Sequence, residues 1–244
     1  MENKELHVLG HLEELRGRIL KTFLAFVAFF TVSFGFVKEI YKWVVRDFDG
    51  KLAILGPSDI LWVYMVIAAV ISIAATIPVA AYQTWRFVSP ALKPEERKVT
   101  LRFIPGLFLL FILGLSFGYF VLFPMVLKFL ISLSAGQFET MFTAEKYFRF
   151  MINLILPFGF LFEMPLVVMF LTRLGILNPK RLAKARKISY LALVIISVVI
   201  TPPDFISDFL VTIPLLVLYE LSISLSRVVY RKKLMNENMP LPEM

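Results

Sequence analysis

One acidic residue, Glu163, stands inside a long apolar stretch of the chain. The sequence between Arg149 and Arg173 is almost wholly apolar, and Glu163 is its only charge. A run of this length and composition predicts a membrane-spanning helix. A carboxylate at that depth costs roughly 2.5–3.5 kcal/mol to insert, so we expect it to face protein or water and to mark a functional site. The alternative is a neutral Glu163 that hydrogen-bonds a neighbouring helix for packing alone.

Two prolines, Pro157 and Pro165, bracket this acid. Because proline lacks an N–H, each one leaves a carbonyl of the preceding helical turn without its usual donor. Gly159 lies between them and allows a second backbone to approach closely. We therefore expect a bent helix with freed carbonyls beside Glu163, a pattern typical of a polar cavity inside the bilayer.

A second set of distinctive residues lies in a polar segment between apolar runs. Glu95 and Glu96 are adjacent, and Phe87 and Pro90 precede them. Adjacent exposed acids are the ordinary start of a solvated helix, whose dipole they complement. The alternative is a surface for a cationic ligand, since carboxylates bind arginine through two parallel N–H bonds and Phe87 would add a cation–π contact.

The other acids have simpler interpretations. Glu14 and Arg18 form an i, i+4 pair in the polar N-terminal segment. Asp204 ends a Thr-Pro-Pro-Asp turn and is expected to cap the helix that follows. Glu220 is either a polar contact between helices or a residue that docks a partner, and the sequence favours neither.

The composition of the 244-residue chain is that of a membrane protein. Hydrophobic residues make up 59% of it and the mean hydropathy is +0.79, which is too apolar for a soluble domain. The chain has no cysteine, which excludes disulfides, thiolate metal sites and a Cys nucleophile. It carries no catalytic motif, so we expect neither an enzyme nor a cofactor nor a metal site. Its basic clusters lie between apolar runs and fit anionic lipid better than nucleic acid.

Six apolar segments predict an all-α integral membrane fold in a single domain, 1–233, followed by a flexible cytoplasmic tail, 234–244. The predicted spans are 19–37, 61–82, 103–123, 148–172, 188–200 and 205–225. We expect helices five and six to be short, since span five would be only about 20 Å long against a hydrocarbon core of about 30 Å. Lys and Arg number 19 in the tails and near-side loops and 7 in the far-side loops, so both termini are predicted to be cytoplasmic.

Two local patterns refine this layout. The first far-side loop, 38–59, carries Ile40 and Val44 at helical spacing among aromatic residues, which predicts a short interfacial helix lying flat. Gly114 and Gly118 form a GxxxG arrangement in span three, which permits close helix packing.

Four motifs occur in order along the chain: HLEELRGRI at His11–Ile19, RFVSPALKPEERK at Arg86–Lys98, FGFLFEMP at Phe158–Pro165 and TPPD at Thr201–Asp204. Together they resemble the TatC family, the multispanning receptor subunit of the bacterial twin-arginine protein translocase. The resemblance covers essentially the whole chain. GPSDILWVYM at Gly56–Met65 is similar to the TatC proteins of Gram-positive bacilli.

The resemblance implies a multi-pass protein of the bacterial plasma membrane with a concave, glove-like bundle of six helices. It implies a receptor that binds twin-arginine signal peptides of folded proteins at the cytoplasmic face. It also implies self-association in a receptor complex, recruitment of TatA-type single-span subunits, and export driven by the proton motive force. A TatB-type subunit is absent from many Gram-positive systems of this kind.

Carried over residue by residue, the resemblance implies three groups of site residues. The signal-peptide-binding group comprises Glu14, Arg16, Phe87, Pro90 and Glu96. The intramembrane polar or partner-docking group comprises Glu163 and Glu220, and the structural turn comprises Pro202, Pro203 and Asp204.

A different class of function would also use the buried acid. A secondary transporter of ions or small solutes could employ Glu163 as a proton or cation site. Against it stand the lack of a second buried ionisable partner for Glu163 and the lack of a visible internal repeat. A membrane-embedded enzyme is poorly supported, because those spans hold no nucleophile–base pair and no metal-ligand set.

Overall fold

The computed structural model describes residues 2–46, 52–92, 97, 100–101, 103–134, 141–202 and 204–237. Within these ranges every regular element is helical, which confirms the predicted all-α fold. The chain divides into two compact units, Met1–Leu109 with Glu139–Phe150, and Leu110–Phe138 with Met151–Met244.

Ten α-helices follow one another in the described ranges. They are α1 Glu2–Gly35, α2 Val37–Val45, α3 Pro57–Val88, α4 Phe103–Phe117, α5 Phe123–Ser134, α6 Ala144–Leu161, α7 Met164–Arg173, α8 Pro179–Lys184, α9 Arg186–Ile200 and α10 Phe205–Glu237. A 3-10 turn at Ser89–Ala91 follows α3, and a π-helical turn at Gly118–Leu122 joins α4 to α5.

The first unit is built on α1 and α3, two long helices that pack against each other. Between them α2 forms a short helix, as its apolar spacing predicts. Tyr41 fixes α2 in place, with its ring 5.6 Å from Phe148 of α6 and 6.0 Å from Tyr64 of α3. The helix α3 begins at Pro57, where the carboxylate of Asp59 accepts the N–H of Gly56 at 3.2 Å.

One backbone bridge ties the two loops of this unit together. The Ala53 N–H donates to the Phe142 carbonyl at 2.9 Å, and the Ala144 N–H donates to the Ala53 carbonyl at 2.8 Å. Just beyond the bridge, the Arg149 guanidinium lies 4.7 Å from the centre of the Trp62 ring. The start of α6 is thereby held against the segment that precedes α3.

The second unit has glycine-mediated close packing, as the GxxxG pattern and Gly159 predict. A Cβ added to Gly114 would lie 2.5 Å from the Phe158 carbonyl oxygen and 2.9 Å from the Cα of Gly159. A Cβ added to Gly118 would lie 3.0 Å from the Cα of Ile155. The backbones of α4 and α6 therefore approach each other at a distance that larger residues would prevent.

Hydroxyl pairs hold the last helix of the second unit to its neighbours. Thr172 and Ser226 share a hydrogen bond of 2.7 Å between α7 and α10, and both side chains are buried. Ser197 and Thr212 share one of 2.6 Å between α9 and α10. These bonds satisfy polar groups that would otherwise be costly inside an apolar bundle.

Among the described residues, five stretches are long and apolar enough to cross a membrane: His11–Gly35, Pro57–Val88, Phe103–Leu133, Ala144–Arg173 and Phe205–Lys232. The predicted fifth span corresponds to α9, a helix of 15 residues, about 22 Å at the helical rise. Several membrane-spanning helices are thus present, and the six-span count stays a prediction.

The expectation of a short sixth helix is wrong. The helix α10 has 33 residues and continues to Glu237, beyond the predicted start of the tail at 234. Its basic end carries no Gly or Pro, and Arg, Lys, Leu and Met are good helix formers, so nothing terminates the helix where the apolar span ends. Residues 238–244 of the predicted tail lie outside the described residues.

Candidate functional site

The N-terminal motif and the end of α3 meet in the first unit. The His11 ring of α1 stacks on the Phe87 ring of α3 with their centroids 4.2 Å apart and their planes 18° from parallel. The Nδ1 atom of His11 lies 3.7 Å from a carboxylate oxygen of Glu14. An aromatic surface and a carboxylate are therefore adjacent at this end of the two helices, and both kinds of group can bind a guanidinium ligand.

The Glu14 carboxylate is already paired within α1, as its spacing predicts. Both Nε and Nη2 of Arg18 donate to the same Glu14 oxygen, the first at 3.1 Å. The Glu14 side chain is 38% exposed, whereas that of Arg18 is 14% exposed. A cationic ligand at Glu14 would thus compete with Arg18 for one oxygen and with His11 for the other.

The other three predicted members of the signal-peptide-binding group are not brought together in the described structure. Arg16 and Pro90 are both exposed, Arg16 on α1 and Pro90 in the 3-10 turn after α3. Glu96 lies outside the described residues. Of the five residues, the structure brings Glu14 and Phe87 together through His11.

Residues beyond this loop fold back onto the end of α3. The Trp85 indole N–H donates to the Thr100 hydroxyl at 3.0 Å, and the Thr100 hydroxyl lies 3.2 Å from the Arg97 carbonyl oxygen. The Arg97 guanidinium lies 5.7 Å from the centre of the Trp85 ring. The start of the following helical segment is thereby anchored close to Phe87, two residues beyond Trp85.

Glu163 lies where the fourth apolar stretch is interrupted. Helix α6 ends at Leu161 and α7 begins at Met164, so the break falls where the two prolines predict a bend. The N–H of Glu163 donates to the Phe160 carbonyl at 3.1 Å in a tightened turn. One carboxylate oxygen of Glu163 is buried and has no hydrogen-bond partner among the described residues. A buried acceptor left open in this way is a candidate contact for a group outside the chain.

Glu220 is held by two side chains of α9. Arg186 donates from Nε and from Nη2 to the two Glu220 oxygens, each at 2.8 Å, and the Tyr190 hydroxyl donates to one of them at 2.5 Å. This bidentate geometry favours the interpretation of Glu220 as a contact between helices.

The same acid also borders an open groove on α10. The groove has a volume of about 300 Å³ and is lined by Leu216, Val217, Glu220, Leu221 and Ser224. Its walls are largely apolar, with the Arg186-bound carboxylate at one edge. Docking of a partner at Glu220 stays a prediction.

The turn before α10 has the predicted cap. The Asp204 carboxylate accepts the N–H of Ser207 at 2.7 Å, which satisfies one of the free donors of the first helical turn. The Thr201 hydroxyl donates to the Asp208 carboxylate and joins the two sides of the turn. Pro202 precedes this cap, whereas Pro203 lies outside the described residues.

Over the described ranges, no group of three or more His, Asp or Glu side chains could hold a metal ion. Three described carboxylates instead form ion pairs or a cap, Glu14 with Arg18, Glu220 with Arg186 and Asp204 with a backbone N–H. Such groups recognise cations and backbone donors.

His11 is the residue that sequence reasoning missed at this site. In the sequence it stands out only as the first residue of the HLEELRGRI motif. The signal that could have found it is the i, i+3 spacing from Glu14, which places both side chains on one face of α1. Its stacking on Phe87 depends on tertiary packing and has no local signature.

Comparison with known proteins assigns the chain to a family. The family described as Sec-independent protein translocase protein (TatC) matches residues 10–214. The Sec-independent protein translocase protein TatCd of Bacillus subtilis is 68% identical over 237 residues, covering 97% of this chain and 98% of that protein. TatCy of the same organism is 45% identical over 236 residues, covering 95% and 93%. A crystal structure of the twin-arginine translocase receptor TatC aligns with a TM-score of 0.79 at 33% identity, covering 90% of this chain and 99% of that one. With the matched helices and motifs, these similarities show that the chain belongs to the TatC family of Sec-independent protein translocase proteins.

Proposed function

We propose that this protein is the signal-peptide receptor of a twin-arginine translocase in the bacterial plasma membrane. The observation that carries the proposal is the contact between the N-terminal motif and the end of α3, where His11 stacks on Phe87 beside Glu14. Family membership and the similarity to a protein described as a twin-arginine translocase receptor support it. They favour protein export over the transport of ions or small solutes.

Recognition in this proposal is ionic. Glu96 and Glu14 bind the two guanidinium groups of the signal peptide, each through parallel N–H bonds. Phe87 and Pro90 provide the apolar contact beside them, and the signal's apolar segment continues toward Glu163. Arginine suits this site better than lysine, because its planar fork matches a carboxylate and stacks on aromatic rings.

The proposed topology has six spans and both termini in the cytoplasm. Helix α9 is the short fifth span, and the excess of Lys and Arg in the near-side segments sets the orientation. A helix of this length is accommodated by local thinning of the bilayer. The recognition site then faces the cytoplasm, which contains the folded proteins that are to be exported.

Partner recruitment uses the second unit. We assign the open oxygen of Glu163 to a polar group of a TatA-type single-span subunit, and the groove beside Glu220 to a second contact with such a helix. The receptor self-associates and works with TatA-type subunits in the absence of a TatB-type one. It carries out binding and transport without catalysis or a cofactor, and the proton motive force drives export.

The first experiment measures binding of the purified protein to a labelled twin-arginine signal peptide and to its Lys-Lys counterpart. We expect the Arg-Arg peptide to bind more tightly. Replacing Glu96 by Gln should remove most of the difference, at a cost of about 1.5–3 kcal/mol, the scale of a hydrogen bond to a charged group.

Glu145→Gln is the control, because it removes a carboxylate outside the proposed recognition site, one that is 38% exposed and pairs with Arg149 at 2.6 Å. It should leave both affinities unchanged. Equal binding of the two peptides to the unmodified protein would contradict the receptor proposal.

A second experiment tests the partner contact. A photoreactive residue at position 163 should form crosslinks to a TatA-type subunit, and the same residue at Phe160, which is 48% exposed on α6, serves for comparison. Crosslinks from position 163 that never contain such a subunit, with or without cargo, would refute this assignment.

A further inference from the structure

Three basic residues form a stripe along α2. Lys38, Lys42 and Arg46 follow one another at intervals of four, so they fall on one side of the helix and its C-cap, and all three are exposed. Glu39 is the one acid of this helix and is exposed beside them. The outward side of α2 is therefore positively charged.

A different side of α2 is fixed to the protein. Val37 is buried, and Tyr41 contacts both Phe148 and Tyr64. The helix cannot turn this packed side outward without losing those contacts. The basic stripe is thus held facing away from the first unit, and its direction is set by packing.

A tryptophan lies at the edge of the stripe. Trp43 is 47% exposed, and the Arg46 guanidinium lies 4.9 Å from the centre of its ring. Trp and Arg together are typical of the boundary between lipid headgroups and hydrocarbon. The chain position agrees, because α2 directly follows one candidate span and precedes another, His11–Gly35 and Pro57–Val88.

We propose that α2 is a binding site for the headgroups of anionic phospholipids in the leaflet opposite the proposed peptide-binding face. Lys38, Lys42 and Arg46 bind the phosphate and Trp43 inserts beside the acyl chains. Charge complementarity favours this occupant, since Val37–Arg46 carries three cations against one carboxylate, and each basic group near a membrane surface adds to attraction for anionic lipid.

This site also gives a reason for the basic residues of the first far-side loop. The far-side loops hold seven Lys and Arg residues, and four of them lie in the first loop. The positive-inside rule disfavours such a cluster on the far side. Binding anionic headgroups compensates for that placement, and it does so independently of signal-peptide recognition.

The test uses Trp43 as a local probe. The protein is reconstituted in phosphatidylcholine vesicles that contain phosphatidylglycerol, and one lipid or the other is brominated at equal mole fraction. Quenching in the Trp43→Phe protein reports the other two tryptophans and is subtracted. We expect brominated phosphatidylglycerol to quench the Trp43 component at least about twofold more strongly than brominated phosphatidylcholine does.

Changing Lys38, Lys42 and Arg46 together to Gln should abolish this preference. The matched control changes three exposed basic residues of α10, Arg227, Arg231 and Lys232, to Gln and should retain it.

Glu39→Gln removes the competing carboxylate and should strengthen the preference while leaving every cation in place. Equal quenching by the two lipids in the unmodified protein would overturn the proposal. A preference that survives the triple substitution on α2 would overturn it as well.

Discussion

The chemistry of the proposed recognition site depends on how one carboxylate is shared. Arg18 occupies one oxygen of Glu14, and His11 lies near the other. An arginine of the signal peptide would have to displace Arg18 from its bond. Arg18 is therefore an internal competitor of the ligand, and its removal should make Glu14 more available.

We predict that Arg18→Gln raises the affinity for the Arg-Arg peptide about two- to fivefold, the scale of one ion pair near the protein surface. A fluorescence titration of both peptides measures the change. Arg149→Gln, which breaks the equivalent pair with Glu145, should have no effect. The gain should vanish in a protein that also carries Glu14→Gln, and unchanged affinity in Arg18→Gln alone would argue against Glu14 as a ligand.

The two intramembrane acids should respond differently to the same substitution. Glu163 has a buried oxygen without a partner among the described residues. Glu163→Gln should therefore leave the free energy of unfolding unchanged or raise it by up to about 1 kcal/mol. The same substitution should lower export. Glu220→Gln weakens a bidentate bond to Arg186 and should lower stability by about 1 kcal/mol. Thermal unfolding in detergent together with an export assay separates the two effects.

A loss of stability for Glu163→Gln equal to that for Glu220→Gln would show that Glu163 has a structural role. It would favour the packing interpretation of this residue over the functional one.

At the scale of single residues, local spacing predicted the local contacts. The Glu14–Arg18 pair and the Asp204 cap both follow from neighbours in sequence and are confirmed. The His11–Phe87 stack and the Arg186–Glu220 pair join residues far apart in the chain, and no periodicity encodes them. The partner of Glu220 therefore could not be chosen from sequence.

At the scale of the helices, close approach at Gly114 limits what can replace it. Gly114→Ala should destabilise the protein by about 1–3 kcal/mol, since the added Cβ would overlap backbone atoms of Phe158 and Gly159. Gly17→Ala in α1 is the control, because a Cβ there meets no atom within 4 Å, and it should be neutral or stabilising. Thermal unfolding of both variants measures the loss of stability. Equal stability of Gly114→Ala and Gly17→Ala would contradict the close packing at Gly114.

Hydropathy located the helices better than it located their ends. The first predicted span begins at residue 19, whereas α1 begins at Glu2, and the sixth ends at 225, whereas α10 ends at Glu237. Hydropathy identifies the part of a helix that can lie in lipid. Glu, Lys, Arg and Leu have high helix propensity, so the helix continues beyond that part into water. The α6–α7 interruption was predictable because proline acts locally.

At the scale of the whole molecule, the lack of cysteine allows a direct test of topology. Single cysteines at Leu55 and Met141, which are 79% and 82% exposed, should react from outside intact cells with a membrane-impermeant maleimide. Cysteines at Lys184 and Met235, also exposed, should react only after lysis.

If the maleimide labels a cysteine at position 235 from outside intact cells but does not label one at position 184, α9 does not cross the membrane. The chain would then have five spans and an external C-terminus. The positive-inside rule favours the six-span result.

The bridge between Ala53 and Thr143 also constrains how the protein is made. Ribosomes deliver the chain from its N-terminus, so α1, α2 and α3 enter the membrane before Thr143 exists. Until then Tyr41 has Tyr64 as its aromatic neighbour and lacks Phe148. The first unit is therefore complete only after the start of α6 has been synthesised, and a nascent chain stalled before Thr143 would lack both the backbone bridge to Ala53 and the Phe148 contact of α2.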